Sequence, residues 1–309
     1  MDKIAVIGSG RVGEATTLFL AQQNLAKEVV LLDVKGDYAA GTALDVAETA
    51  PIFRFDTRII GSGDMSIMHD AQMVIVTAGF PRKPGMSRSD VLQSNVQIID
   101  SVVENVVKYA PNSMILVVSN PVDIITYRAF KKAGFPRNRV FGQAGVLDSA
   151  RMATFIALET GYSAKDISAM VLGGHGDSMV PMIRYTTING ISVDKFLNKD
   201  QTDAIINRTR NGGAEVLKLK EISSAYQAPG ASTVEMVDAI VHNRKRILPT
   251  VCILDGEYQQ KDIAMGVPAV LGKNGVEKVV ELELNADEQK MFTASVNSVR
   301  QDIDLLATL

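Results

Sequence analysis

Residues 4–13 read Ile4-Ala5-Val6-Ile7-Gly8-Ser9-Gly10-Arg11-Val12-Gly13, and this stretch decides the architecture. A short apolar run turns through three glycines at G-x-G-x-x-G spacing into a segment with helical periodicity. The first glycine permits a tight turn, the second lets backbone approach a pyrophosphate, and the third lets helix pack close to strand. A helix opening there adds unpaired N–H groups and the positive end of a dipole. A second apolar run ends in Leu31-Leu32-Asp33. A carboxylate at that strand end accepts hydrogen bonds from ribose hydroxyls and repels a 2′-phosphate, so NAD is the expected cofactor. The residues expected to hold it are Gly8, Ser9, Gly10, Arg11, Val12, Gly13 and Asp33.

Outward from this unit, apolar β-branched runs alternate with helical patterns. Strands are predicted at 4–7, 29–32, 58–61, 74–77, 115–119 and 140–142, and helices at 13–23, 38–49, 91–109 and 123–133. Continuously apolar strands alternating with helices imply a parallel sheet buried on both faces. Right-handed crossovers then give an α/β, doubly wound (Rossmann) domain over residues 1–145. From 146 to 309 the pattern changes to an α+β substrate domain packed on the sheet. Its expected helices are 147–159, 203–219, 233–243 and 287–306. Its expected strands are 167–172, 246–254, 266–271 and 275–280, with Asn274-Gly275 as a hairpin turn. No linker separates the halves, which are expected to form one rigid body.

The chain has 309 residues, 46% hydrophobic and 22% charged, with a net charge of −3. No basic field is present to recruit nucleic acid or an anionic membrane. The apolar run after Met1-Asp2-Lys3 is too short for a signal peptide, and no stretch approaches a membrane span, so a cytoplasmic protein is expected. Cys252, the single cysteine, sits in an apolar run and is read as a buried thiol, with no metal-ligand spacing around it.

Four segments fall where loops follow strands, on the side where open α/β sheets bind ligands. Residues 78–88, Ala-Gly-Phe-Pro-Arg-Lys-Pro-Gly-Met-Ser-Arg, combine glycine and proline breaks with cations, as expected of a loop closing on an anion. Asn120-Pro121 offers an amide beside a fixed turn, where a cis bond is possible. Asp148 and Arg151 share a helix face at i,i+3 spacing. His175 lies in Gly173-Gly174-His175-Gly176-Asp177 at a strand end, an odd setting for a core residue. His69 and His242 read as surface residues, and the thirteen methionines as core filler.

Together GSGRVG, LLD, VTAGFPRKPGMSR, VVSNPVD, GQAGVLDSAR and GGHGDSMVP resemble the lactate/malate dehydrogenase superfamily from end to end. The resemblance implies a hydride transfer between NAD and a small 2-hydroxy acid. It implies His175 as acid/base, Asp148 as its orienting partner, and Arg151 as the clamp on the substrate's C1 carboxylate. It also implies that Arg88 polarises the substrate carbonyl, that Asn120 hydrogen-bonds it, and that Asn95, Val118 and Ser119 lie along the cofactor. Histidine suits the proton transfer because its pKa lies near the working pH. Arginine suits the clamp because it grips a carboxylate bidentately.

The resemblance places Arg82 opposite the substrate's third carbon, where lactate-specific members commonly carry glutamine and malate-specific members arginine. A dicarboxylate, malate or oxaloacetate, is therefore expected as the partner. The overall pattern is similar to the lactate-dehydrogenase-like branch of the malate-specific members. A homodimer or homotetramer is expected, with the 38–49 helix and the 151–160 region as candidate interfaces. Three rivals stay open at this point: a lactate-type dehydrogenase, an NAD-dependent glycosidase, and a non-catalytic NAD-sensing module. The glycosidase wants a metal-holding cysteine near the cofactor. The sensing module would need no set like His175, Asp148 and Arg151.

Overall fold

A computed structural model of the chain describes residues 1–80 and 88–306, the side chains of 88–91 excepted. The first half alternates as the sequence predicts. Its strands are β1 (Lys3–Ile7), β2 (Glu28–Leu32), β3 (Arg58–Ser62), β4 (Met73–Val76), β5 (Met114–Val117) and β6 (Val140–Gln143). Its helices are α1 (Arg11–Gln22), α2 (Gly36–Glu48), α3 (Ala50–Phe53), α4 (Arg88–Tyr109) and α5 (Val122–Ala133). The six strands pair in parallel in the order β3-β2-β1-β4-β5-β6. The chain order therefore reverses between β1 and β4, which opens a crevice at their carboxyl ends.

The second half opens with α6 (Gly145–Thr160) and the short strands β7 (Ile167–Ser168), β8 (Val171–Leu172), β9 (Val180–Pro181), β10 (Thr187–Ile188) and β11 (Ile191–Ser192). Helices α7 (Lys199–Lys220) and α8 (Gln227–Val241) follow. Then come β12 (Arg246–Asp255), β13 (Lys261–Gly272), β14 (Gly275–Val279) and α9 (Ala286–Leu306). This half does more than pack on the sheet. β12 pairs antiparallel with β6 through Thr250–Gln143 and Val251–Gly142, and β13 and β14 follow outward. Among the described residues one nine-stranded sheet thus runs through both halves.

Three boundaries differ from the sequence reading for physical reasons. The single strand expected at 167–172 is two, because β7 pairs with β10 while β8 pairs with β9. Helix α8 begins before Pro229, which stands in the first turn where its missing N–H costs nothing. Helix α7 begins at a capping box: Asn198 Oδ1 accepts from the Gln201 N–H, and Gln201 Oε1 from the Asn198 N–H. The Asn274-Gly275 hairpin stands as expected between β13 and β14, with Gly275 at φ +87°.

One face of the sheet buries Ile7, Val30, Val74, Ile115 and Val251 in a core that continues to Phe292, Val296 and Val299 of α9. The other face buries Ile4, Val6, Leu31, Ile75 and Phe141 against Val234, Val237 and Ile240 of α8. Burial on both faces accounts for the unbroken apolar runs in the strands. Cys252 is buried on β12, and burial pushes its thiol pKa upward. No described helix is long and apolar enough to cross a membrane.

Candidate active site

The glycine turn lies at the crevice. Gly8 adopts φ +103°, and a Cβ there would stand 2.7 Å from the Ala78 nitrogen, so only glycine fits between β1 and the chain leaving β4. A Cβ on Gly13 would stand 1.8 Å from the Gly8 carbonyl oxygen, which explains the third glycine as a contact between helix and turn. Gly10 differs: nothing lies within 4 Å of its would-be Cβ. Helix α1 has no side-chain cap, and Ser9 Oγ is buried without a hydrogen-bond partner. Open space, uncapped N–H groups and an orphaned hydroxyl together fit an anionic pyrophosphate.

Asp33 ends β2 beside this turn. Its Oδ2 accepts from the Ser9 N–H at 2.8 Å and its Oδ1 from the Lys35 N–H at 3.0 Å. Burial pushes its pKa up, but these hydrogen bonds outweigh it and hold the carboxyl below its usual value. Val12 lines the cavity described below, while the Arg11 guanidinium lies over the Tyr226 ring, 5.4 Å from its centroid.

A cavity of about 380 Å³ opens between the two halves. Its walls include Val12 of α1, Val118 and Asn120 after β5, Gln143 at the end of β6, Arg151 of α6 and His175. His175 Nδ1 lies 2.9 Å from Asp148 Oδ2, and Arg151 Nη1 donates to Asp148 Oδ1 at 3.2 Å. The Asp148 side chain is 2% exposed, whereas His175 and Arg151 retain 19% and 16% and reach the cavity. Burial alone lowers the affinity of the imidazole for a proton. The Asp148 charge and hydrogen bond, with the Asp123 charge behind them, outweigh it and raise the His175 pKa.

Of the residues predicted from sequence, Val12, Val118, Asn120, Arg151 and His175 line this cavity with Asp148 behind them, while Ser9 and Asp33 meet at the glycine turn; Arg82 lies outside the described residues, as does the Arg88 side chain. Asn120 reaches the cavity, and its bond to Pro121 is cis. Asn95 is buried and ties two loops: its Oδ1 accepts from the Phe80 N–H at 2.8 Å, and its Nδ2 donates to Asn120 O at 2.8 Å. Ser119 Oγ donates to the Val76 and Ala78 carbonyls. Both therefore shape the loops that a cofactor would meet.

Several site residues were not read from the sequence. Gln143 is buried on the cavity wall, and its Nε2 has no hydrogen-bond partner. Arg210 of α7 lines the same wall and donates to Met179 O. Gly212 and Gly213 stand inside α7, where a Cβ on Gly212 would be 3.2 Å from Arg151 Cδ. The pair leaves room for the Arg151 side chain, against a cost of about 1 kcal/mol per interior glycine relative to alanine. Asp123, in the first turn of α5, accepts from the His175 N–H at 2.8 Å.

A doubly wound sheet with a glycine turn at its switch point and a carboxylate ending β2, facing a histidine–carboxylate–arginine set, is the arrangement of a dinucleotide-dependent dehydrogenase. Comparison with known proteins places it further. Residues 2–142 match the NAD binding domain, and residues 145–308 the alpha/beta C-terminal domain, of lactate/malate dehydrogenase. The chain belongs to the lactate/malate dehydrogenase family. It is 60% identical to a malate dehydrogenase of Thioalkalivibrio sulfidiphilus over 99% of this chain and 100% of that one. It is 51% identical to one of Pseudomonas putida over 100% of both chains. The malate dehydrogenase structure of Salinibacter ruber superposes with a TM-score of 0.95 at 43% identity, covering 99% of this chain and 98% of that one. A Cryptosporidium parvum lactate dehydrogenase in complex with lactic acid and NAD gives 0.96 at 38% identity, covering 100% and 98%.

Proposed function

We propose that the chain interconverts (S)-malate and oxaloacetate with NAD, residues 1–145 forming the dinucleotide-binding domain and 146–309 the substrate/catalytic domain, with Arg82, Arg88 and Asn120 reaching the substrate from the first. The observation that carries this is a set of three at the cavity: His175 and Arg151 reach its wall, and the buried Asp148 behind them holds His175 Nδ1 with one oxygen and Arg151 with the other. Bound NAD supplies hydride exchange at the substrate carbon.

The protein's own residues do the remainder. His175 gives the carbonyl oxygen its proton in reduction and removes it in oxidation, through Nε2, the ring nitrogen that Asp148 leaves free. Asp148 fixes the tautomer and favours the imidazolium, as the carboxylate of a hydrolase triad does. Arg151 grips the C1 carboxylate. Asn120 hydrogen-bonds the substrate oxygen, Arg88 stabilises charge growing on it, and Arg82 takes the second carboxylate. Asp33 excludes a 2′-phosphate, while Val118, Ser119 and Asn95 form the cofactor wall.

The proposal includes a cytoplasmic location and a homodimer or homotetramer. Tyr38 and Leu44 on α2 and Leu158 on α6 are exposed, which favours the interfaces expected from sequence. Sedimentation velocity of the purified protein tests the assembly. NADH oxidation measured with oxaloacetate and with pyruvate tests the activity. Higher kcat/KM on oxaloacetate supports the proposal, and a preference for pyruvate refutes it.

A further inference from the structure

Three consecutive N–H groups fix the His175 loop, each taken by a different element. Gly173 N–H donates to Gly266 O on β13, Gly174 N–H to Ser295 Oγ on α9, and His175 N–H to Asp123 Oδ2 on α5, all at 2.8 Å. Two of these acceptors are neutral; the third is a carboxylate. Asp123 is only 6% exposed, and its Oδ1 is buried with no hydrogen-bond partner. Burying a charge costs far more than burying a hydroxyl or an amide, either of which would hold one N–H equally well. Ser295 does so one residue earlier. What Asp123 adds is charge.

We propose that Asp123 is a positioning residue for the acid/base step, fixing the His175 main chain and acting with Asp148 as a second carboxylate that favours the imidazolium. The inference rests on His175 being the proton donor. Among the described residues, the charged groups facing this ring are Asp148 and Arg151 from α6 and Asp123 from α5. Arg210 of α7 lies on the same cavity wall, and Asp177 follows in the loop. Arg151 opposes the imidazolium, and the two buried carboxylates outweigh it. Burial pushes the Asp123 carboxyl up to about 6, while the His175 N–H and the imidazolium charge pull it down and so favour its charged form.

The test separates charge from anchoring. Asp123→Asn keeps an oxygen acceptor for the His175 N–H and loses the charge; Asp123→Ala loses both. The chain has three histidines, so NMR can follow each ring against pH in the full protein, with His175→Asn assigning the signal. In Asp123→Asn the His175 pKa should fall by about one unit, a tenfold weaker proton affinity, in NMR and in the pH profile of oxaloacetate reduction. Its kcat at low pH should stay within about threefold of wild type, while Asp123→Ala should lose roughly tenfold or more in kcat with NADH affinity unchanged.

An unchanged ring pKa in Asp123→Asn overturns the proposal, as does equal kcat in the two variants. The NMR readout needs no substrate, so a wild type inactive on oxaloacetate would refute the proposed function while leaving this claim to be judged. If neither variant folds, the His175 amide proton of wild type decides. It must show an inflection from Asp123 besides that of its own ring, and a single inflection overturns the idea.

Discussion

The Asp148 carboxylate holds His175 Nδ1 at 2.9 Å from a position that is itself 2% exposed, so the ring nitrogen left for chemistry is Nε2. A buried carboxylate bonded to a ring nitrogen acts on both orientation and proton affinity. Asp148→Asn should therefore lower turnover and move the pH profile of oxaloacetate reduction to lower pH. The sign follows from the raised His175 pKa, to which Asp148 contributes. Losing that charge lowers the pKa, so the protonated donor is depleted at lower pH. His175→Asn should remove most of the turnover while NADH titration stays close to wild type. An unshifted profile in Asp148→Asn would sink the pairing.

Cofactor choice is assigned to Asp33. Its carboxyl is held below its usual pKa by the Ser9 and Lys35 N–H groups, so it is anionic at any working pH. Closing a 2′-phosphate against it places like charges together, which costs several kcal/mol. Wild type should prefer NADH to NADPH by at least about a hundredfold in kcat/KM, and Asp33→Ser should narrow that ratio by about tenfold or more. Equal use of both cofactors by wild type would mean that Asp33 does not face the ribose.

Much of this was legible in the sequence because it is local. The glycine turn, the apolar strands and the i,i+3 pair of Asp148 and Arg151 are written within a few residues of one another. His175 announced itself through its glycines. Asp123 did not: it lies 52 residues from His175, and alone it reads as an acidic residue suited to a helix N-terminus. Gly212 and Gly213 read as weak points in a helix until Arg151 is seen passing them. Likewise the strands after residue 245 signal their own hairpins, but not that β12 closes onto β6. Contacts between distant segments depend on packing that no short window contains.

Asp123 should also be costly to the fold. Its carboxyl pKa rises from 3.8 to about 6 on folding, chiefly through burial. The protonated form is thus the one the fold favours, and stability is lost as pH rises from 3.8 through about 6. At 1.36 kcal/mol per unit the loss is about 3 kcal/mol. Asp123→Asn has no such titration, so its stability relative to wild type should improve by roughly that amount between pH 4 and pH 8. Urea unfolding at fixed protein concentration measures it. A stability difference that does not change with pH would show that Asp123 is not a buried, titrating carboxyl.

Substrate choice separates two arginines. Arg151 is tied to Asp148 on the cavity wall and is assigned to the carboxylate that malate and lactate share. Arg82, which lies outside the described residues, is assigned from sequence to the carboxylate that only the dicarboxylate has. With oxaloacetate bound, the Arg82 guanidinium would have a partner; with pyruvate it would be left unpaired. A charge stranded in a dry site costs about 3–5 kcal/mol, a factor of roughly a hundred to a few thousand in kcat/KM. Arg82→Gln should accordingly lower oxaloacetate reduction by a factor in that range and improve pyruvate reduction, because the glutamine strands no charge. Arg151→Gln should instead depress both substrates together. Steady-state kcat/KM for the two substrates in wild type and both variants distinguishes these outcomes. Should Arg82→Gln reduce both substrates by one common factor, Arg82 does not read the second carboxylate, and the choice of malate over lactate must come from other residues.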